Sequence, residues 1–167
     1  CLGENTYTEK PGDINDLNLH PLQKKLAIEL AKTKKPIILL INSGRPRIIT
    51  DIESLSSATM NLYLPGNYGG DGLSDILVGK VNPSGKLPYS YPSYVNSLVP
   101  YNFKPSDVQN NSQGAYNYVG EVNYLYPFGY GLSYSSFKYS NLEVDKNIYK
   151  VNDTIKISVS VKNNSSI

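Results

Sequence analysis

The chain has 167 residues, 40% of them hydrophobic, which is enough for one ordinary domain, or a domain with part of another, and excludes a disordered polymer. Its 16 basic and 14 acidic side chains leave a formal charge of +2 with no block of like sign, so neither nucleic acid nor an anionic membrane is an expected partner. The longest apolar run, Ile37 to Ile41, is far below the roughly 20 residues of a bilayer span, and a single cysteine and a single histidine leave little from which to build a disulfide, a metal site or a serine–histidine pair.

Cys1-Leu2-Gly3 reads as the end of a buried strand, with no initiator methionine and no leader-like apolar segment, and the expectation is a chain cut inside a fold. The loop that follows holds the densest set of reactive side chains: Glu4, Glu9, Asp13 and Asp16. In an open parallel sheet such a loop lies at the carboxyl end of a strand, where ligands bind. Acidic loops are more commonly solvated charge or helix-start carboxylates, and the residue pattern alone leaves both readings open.

Helical spacing of Leu22, Leu26, Ala27, Leu30 and Ala31 predicts an amphipathic helix over 22–34. Gln23, Lys24, Lys25, Glu29 and Lys32 take its outer face, His20 lies at its start and Pro21 suits its first turn. Pro36 stops it, and Ile37 to Ile41 follows as a strand buried on both faces, which together argue for a parallel α/β unit. Ser43-Gly44-Arg45-Pro46 suggests an anion-binding turn but lacks the glycine spacing of nucleotide loops. Arg47 to Thr50 is strand-like or leads into a turn, Thr59 to Leu64 is a second apolar run broken by Pro65-Gly66, and Asp71 to Val78 is a short helix stopped by Gly79.

From Tyr89 to Tyr139 the texture becomes tyrosine, asparagine, proline and glycine without a period, which predicts surface loops packed by aromatic rings. Tyr116, Tyr118, Tyr124, Tyr126, Tyr130, Tyr134 and Tyr139 crowd its second half; such rings stack on sugars or, more commonly, supply packing area with a polar tip. Ile155, Ile157, Val159 and Val161 then alternate with polar residues, predicting an antiparallel strand that covers a core on one side. With at most one partner near Leu142 to Tyr149 that strand cannot bury its apolar face alone, so the chain is expected to stop partway into a second domain. Glycosylation sequons begin at Asn110, Asn152, Asn163 and Asn164.

Four ordered motifs carry a resemblance: GENTYTEKPGDINDL at 3–17, KKPIILLINSGRPRII at 34–49, YLPGNYGGDGLSDILVGKVNPSGKLPYSYP at 63–92 and YLYPFGYGLSYSSFKYSNL at 124–142. In these the chain resembles family 3 glycoside hydrolases of the β-glucosidase and exoglucanase branch. The resemblance implies an α/β fold, a three-layer sandwich with a mostly parallel sheet over 1–135, followed over 136–167 by the truncated start of a fibronectin type III-like β-sandwich. It implies a retaining, exo-acting enzyme on terminal non-reducing β-D-glucosyl residues of β-glucosides or β-glucan oligosaccharides, secreted or lysosomal, with no cofactor and no metal. In the pattern GE-x-x-YTE-x-x-GD the acid/base glutamate falls on Glu9, with Glu4 as the alternative. The nucleophilic aspartate would come from an upstream (β/α)8 barrel domain, so residues 1–167 alone are expected to be inactive. Substrate-binding residues are not identified. Two departures stand out: Tyr68 replaces the usual acid of the PG-x-E-GG turn, and His20-Pro21 precede the helix where a proline and a small or acidic residue are usual. The competing reading is a carbohydrate-binding or interaction module without catalysis.

Overall fold

The structure, a computed structural model, describes residues 1–7, 9–97 and 124–165. It divides into two compact units, residues 1–74 with 86–130, and residues 75–85 with 131–167.

The first unit is α/β. Strands β1 (Leu2–Gly3), β2 (Ile38–Asn42) and β3 (Ala58–Asn61) form a parallel sheet in that order, with Leu2 opposite Ile41 and Ile38 opposite Ala58. Leu39 and Ile41 of β2 are buried with Leu2, Leu19, Ala27, Ile49, Ile52 and Tyr91. Ile38 is exposed and Leu40 only partly covered, so among the described residues β2 has one fully buried face, not the two that its unbroken apolar run predicts.

Helix α1 (Pro21–Ala31) begins where expected: Pro21 occupies the first turn and the His20 ring accepts a hydrogen bond from the Leu22 amide through Nδ1 at 3.2 Å. It ends three residues early, and Lys34 takes a positive φ of 57°. Of its predicted inner face, Ala27 is core and Ala31 half-buried, and the leucines are corrected. Leu22, Leu26 and Leu30 are exposed, whereas Gln23 and Lys24, assigned to solvent, are half-buried. Among the described residues β1 has β2 as a strand neighbour on one side, and on the other the Gln23 amide meets its peptide groups: Gly3 N–H donates to its Oε1 at 2.9 Å and its Nε2 donates to the Gly3 carbonyl at 2.7 Å. Lys24 reaches the Asn18 Oδ1 at 3.2 Å and Asp51 at 3.0 Å.

Between β2 and β3, Ile48 bridges Asn18 and the chain enters a single helical turn, α2 (Thr50–Glu53), which plugs Ile49 and Ile52 into the core. Helix α3 (Gly69–Leu77) follows the Pro65-Gly66 break, and Gly79, at φ 77°, closes it by donating its N–H to the Ile76 carbonyl.

The described residues of the tyrosine-rich stretch, predicted as surface loops, include two short paired strands. β4 (Tyr91–Pro92) pairs antiparallel with β5 (Tyr124–Tyr126), and Tyr91 is a core residue. Its ring meets Tyr126 edge-on at 6.2 Å, and Tyr126 stacks on Tyr130 at 4.8 Å, so these rings pack against one another. Tyr116, Tyr118 and Asn110 lie outside the described residues.

In the second unit β6 (Phe137–Val144) pairs antiparallel with β7 (Ile157–Asn163), Tyr139 facing Val161, and every residue of both strands is exposed. The alternating pattern forms its strand, but among the described residues it covers no core. Asn82 ties this unit together, its Oδ1 accepting from the Ser133 hydroxyl and the Tyr134 amide. No helix among the described residues is long and apolar enough to cross a membrane.

Candidate functional site

The carboxyl ends of β1 and β2 lie side by side because the two strands are parallel neighbours, Gly3 opposite Asn42. Each end opens into a polar loop: Glu4 to Asp16 after β1, and Ser43 to Arg47 after β2. The fold therefore places two arginines against an acidic loop from a distant part of the chain.

Glu4 takes up both. Its Oε1 accepts from the Ser43 hydroxyl at 2.6 Å and from Arg45 Nε at 3.0 Å, and its Oε2 accepts from Arg47 Nη1 at 3.3 Å. All three charged side chains are largely covered, between 12% and 19% exposed, so the pairs are desolvated well beyond a surface salt bridge. Arg45 also donates through Nη2 to the Gly12 carbonyl at 2.7 Å and lies over the Tyr7 ring, its guanidinium carbon 3.6 Å from the centroid. Arg47 donates to the backbone carbonyls of Asn18 and Asp16, and its own carbonyl accepts from the buried Tyr91 hydroxyl at 2.6 Å.

Glu9 meets different surroundings. It is exposed at the start of a short 3-10 turn (Lys10–Gly12), makes no capping bond to that turn and takes part in no ion pair among the described residues. Its backbone is left-handed, at φ 47° and ψ −147°, and its carbonyl accepts the Gly12 N–H at 2.9 Å.

The remaining acids of the loop do other work. Asp13 is exposed; the Asp16 carboxylate accepts the Asn18 N–H at 2.9 Å, which holds it below the usual carboxylate range. His20 caps α1, as its position predicts. Arg45 of the expected anion turn Ser43-Gly44-Arg45-Pro46, and Arg47 just after it, are committed to Glu4 and to backbone carbonyls. Tyr68, the departure from the turn motif, is exposed. Of the sequons, Asn152, Asn163 and Asn164 are exposed. No group of three potential metal ligands occurs among the described residues. Sequence reasoning missed Arg47 and Tyr7 and the pairing of Arg45 with Glu4; the available signal was an SGRPR stretch leaving one parallel strand beside an acidic loop leaving its neighbour.

Residues 1–134 match the model of the glycosyl hydrolase family 3 C-terminal domain. A lysosomal β-glucosidase of Dictyostelium discoideum is 40% identical over 143 residues, 84% of this chain and 16% of that protein. Among solved structures, the β-glucosidase of Listeria innocua in complex with isofagomine superposes with a TM-score of 0.81 at 30% identity, over 99% of this chain and 24% of that one. A mutant of the same enzyme in complex with laminaribiose superposes with a TM-score of 0.79 at 31% identity, with the same coverage. The chain thus spans 16% to 24% of the length of these relatives.

Proposed function

The chain belongs to glycosyl hydrolase family 3, and from that membership we propose that it supplies the acid/base glutamate, Glu9, of a retaining exo-acting β-glucosidase. The observation that carries the choice of residue is the contrast within the loop. A proton donor must present a free carboxyl edge to the glycosidic oxygen. Among the described residues nothing binds the exposed Glu9 carboxylate, whereas the oxygens of Glu4 are filled by a hydroxyl and two guanidinium groups.

In the proposed reaction a carboxylate from the upstream barrel domain attacks the anomeric carbon while Glu9 protonates the departing oxygen. Water, deprotonated by Glu9, then releases the sugar with its configuration retained. Such a pair has its carboxyl groups about 5–5.5 Å apart, and in this proposal the barrel domain brings the nucleophile to that distance from Glu9 at the exposed crest of the loop. β-Glucosides as substrates are supported by the Listeria innocua enzyme, which holds laminaribiose in its crystal.

The test is Glu9→Ala in the full-length enzyme. The specificity constant kcat/KM on glucosides with poor leaving groups should fall by about 10²–10⁴, the usual contribution of a positioned acid, and far less on activated aryl glucosides. Azide should restore kcat on the activated substrates, because it attacks the glycosyl-enzyme without needing a base. Equal losses on both substrate types would leave Glu9 a structural residue.

A secreted or lysosomal location belongs to the same proposal, supported by the lysosomal relative and by the exposed Asn152, Asn163 and Asn164. Enzymatic removal of N-glycans from the protein made in its own host should lower its mass; an unchanged mass would count against that route.

A further inference from the structure

We infer that Arg45 is a positioning residue for Glu9, setting the crest of the catalytic loop through three contacts made by one guanidinium group. The inference rests on the acid/base reading of Glu9 and goes beyond it, from the residue that transfers the proton to the one that aims it.

The three contacts bracket Glu9 along the chain. Arg45 binds Glu4 through Nε at 3.0 Å and the Gly12 carbonyl through Nη2 at 2.7 Å, and its flat face rests 3.6 Å from the centre of the Tyr7 ring. Gly12 in turn gives its N–H to the carbonyl of Glu9. One rigid fork therefore grips the loop on both sides of Glu9, one bond removed from Glu9's own backbone.

Tyr7 cannot easily yield. It fills a slot between Gly12 and Gly44, where an added Cβ would stand 2.8 Å from the Tyr7 Cβ and 2.7 Å from its hydroxyl respectively. Glu9 itself holds a backbone conformation that L-residues rarely adopt, at φ 47°. Such a conformation persists only where the surroundings over-determine it, and the Arg45 contacts to Gly12, Tyr7 and Glu4 are among those surroundings. Arg47 is not equivalent: it shares Glu4, but its other bonds go to Asn18 and Asp16 at the far end of the loop.

A lysine at position 45 keeps the charge opposite Glu4 but has neither a second directed N–H nor a planar face. The experiment is Arg45→Lys in the full-length enzyme, compared with Glu9→Ala, on aryl β-glucosides with good and poor leaving groups. Arg45→Lys should lower kcat/KM on the poor leaving group by about ten- to a hundredfold, the size expected when a reacting group moves by about an ångström. On the good leaving group the loss should be only a few-fold, and KM should hardly change. Tyr7→Leu removes the stacking face while leaving the Arg45–Glu4 pair; it should shift the same ratio in the same direction by less, and it decides the matter if Arg45→Lys does not fold. If Glu9→Ala shows steep leaving-group dependence while Arg45→Lys and Tyr7→Leu lose activity equally on both substrates, or lose none, the positioning role is wrong and the role of Glu9 stands. If Glu9→Ala shows no such dependence, the acid/base reading fails and the role of Arg45 falls with it.

Discussion

The two ends of the first loop carry the same side chain to opposite ends. At its root Glu4 is enclosed by Ser43, Arg45 and Arg47; at its crest Glu9 stands exposed and unpaired among the described residues. The root is where the loop leaves a parallel strand whose neighbour, β2, delivers two arginines, so a carboxylate there meets compensating charge as soon as the sheet forms. The crest lies beyond that reach. A motif containing two glutamates thus separates into an enclosed anchor and an exposed group, and the exposed one is the glutamate that the proposed function puts to work.

Removing the anchor breaks that comparison most severely. Glu4→Ala strips two covered guanidinium groups of their counter-charge, which should cost about 2–3 kcal/mol, less than a fully buried pair because each side chain keeps some solvent contact. Glu9→Ala removes no ion pair among the described residues and should stay within about 0.5 kcal/mol. Urea unfolding of the two variants measures the difference directly; similar losses would mean that Glu9 is also held by partners in solution.

How much of this was legible in the sequence depends on how local each cause is. Ile37 to Ile41, the Asp71 region with Gly79, and the alternation after Thr154 give their elements within a few residues because period and punctuation are local signals. The inner face of α1 was read correctly at Ala27 but not at its leucines or at Gln23, because hydrophobic patterning assumes an apolar neighbour, whereas Gln23 meets the peptide groups of Gly3. Tyr91 was hidden by the aperiodic, proline-rich texture around it, although the β4–β5 pairing makes it core. The Arg45–Glu4 bond spans 41 residues and exists only because β1 and β2 are adjacent, a fact that no local pattern encodes. The choice of Glu9 over Glu4 came from the family motif, and the enclosure of Glu4 enters only as an argument of the proposal.

The root of the loop also depends on the tyrosines beneath it, and this gives the mildest prediction, visible only in alkali. Burial is the main cause that pushes the Tyr89 hydroxyl up to about 12 and raises Tyr91 further, while the Tyr91 hydroxyl donates to the Arg47 carbonyl behind the ion pair. In the unfolded chain a tyrosine titrates near 10. Below that pH both states hold their protons and the stabilisation is complete; above it the unfolded chain releases protons that the folded one retains, so stability falls as the pH climbs from about 10 towards 12. Phenolate absorbance followed together with circular dichroism should show a late fraction of tyrosine appearing only as the fold is lost, and Tyr91→Phe should diminish that fraction. If all phenolate instead appeared reversibly near pH 10 in a protein that stayed folded, Tyr91 would not be sealed behind Arg47, and the anchored root would be as open to water as the crest.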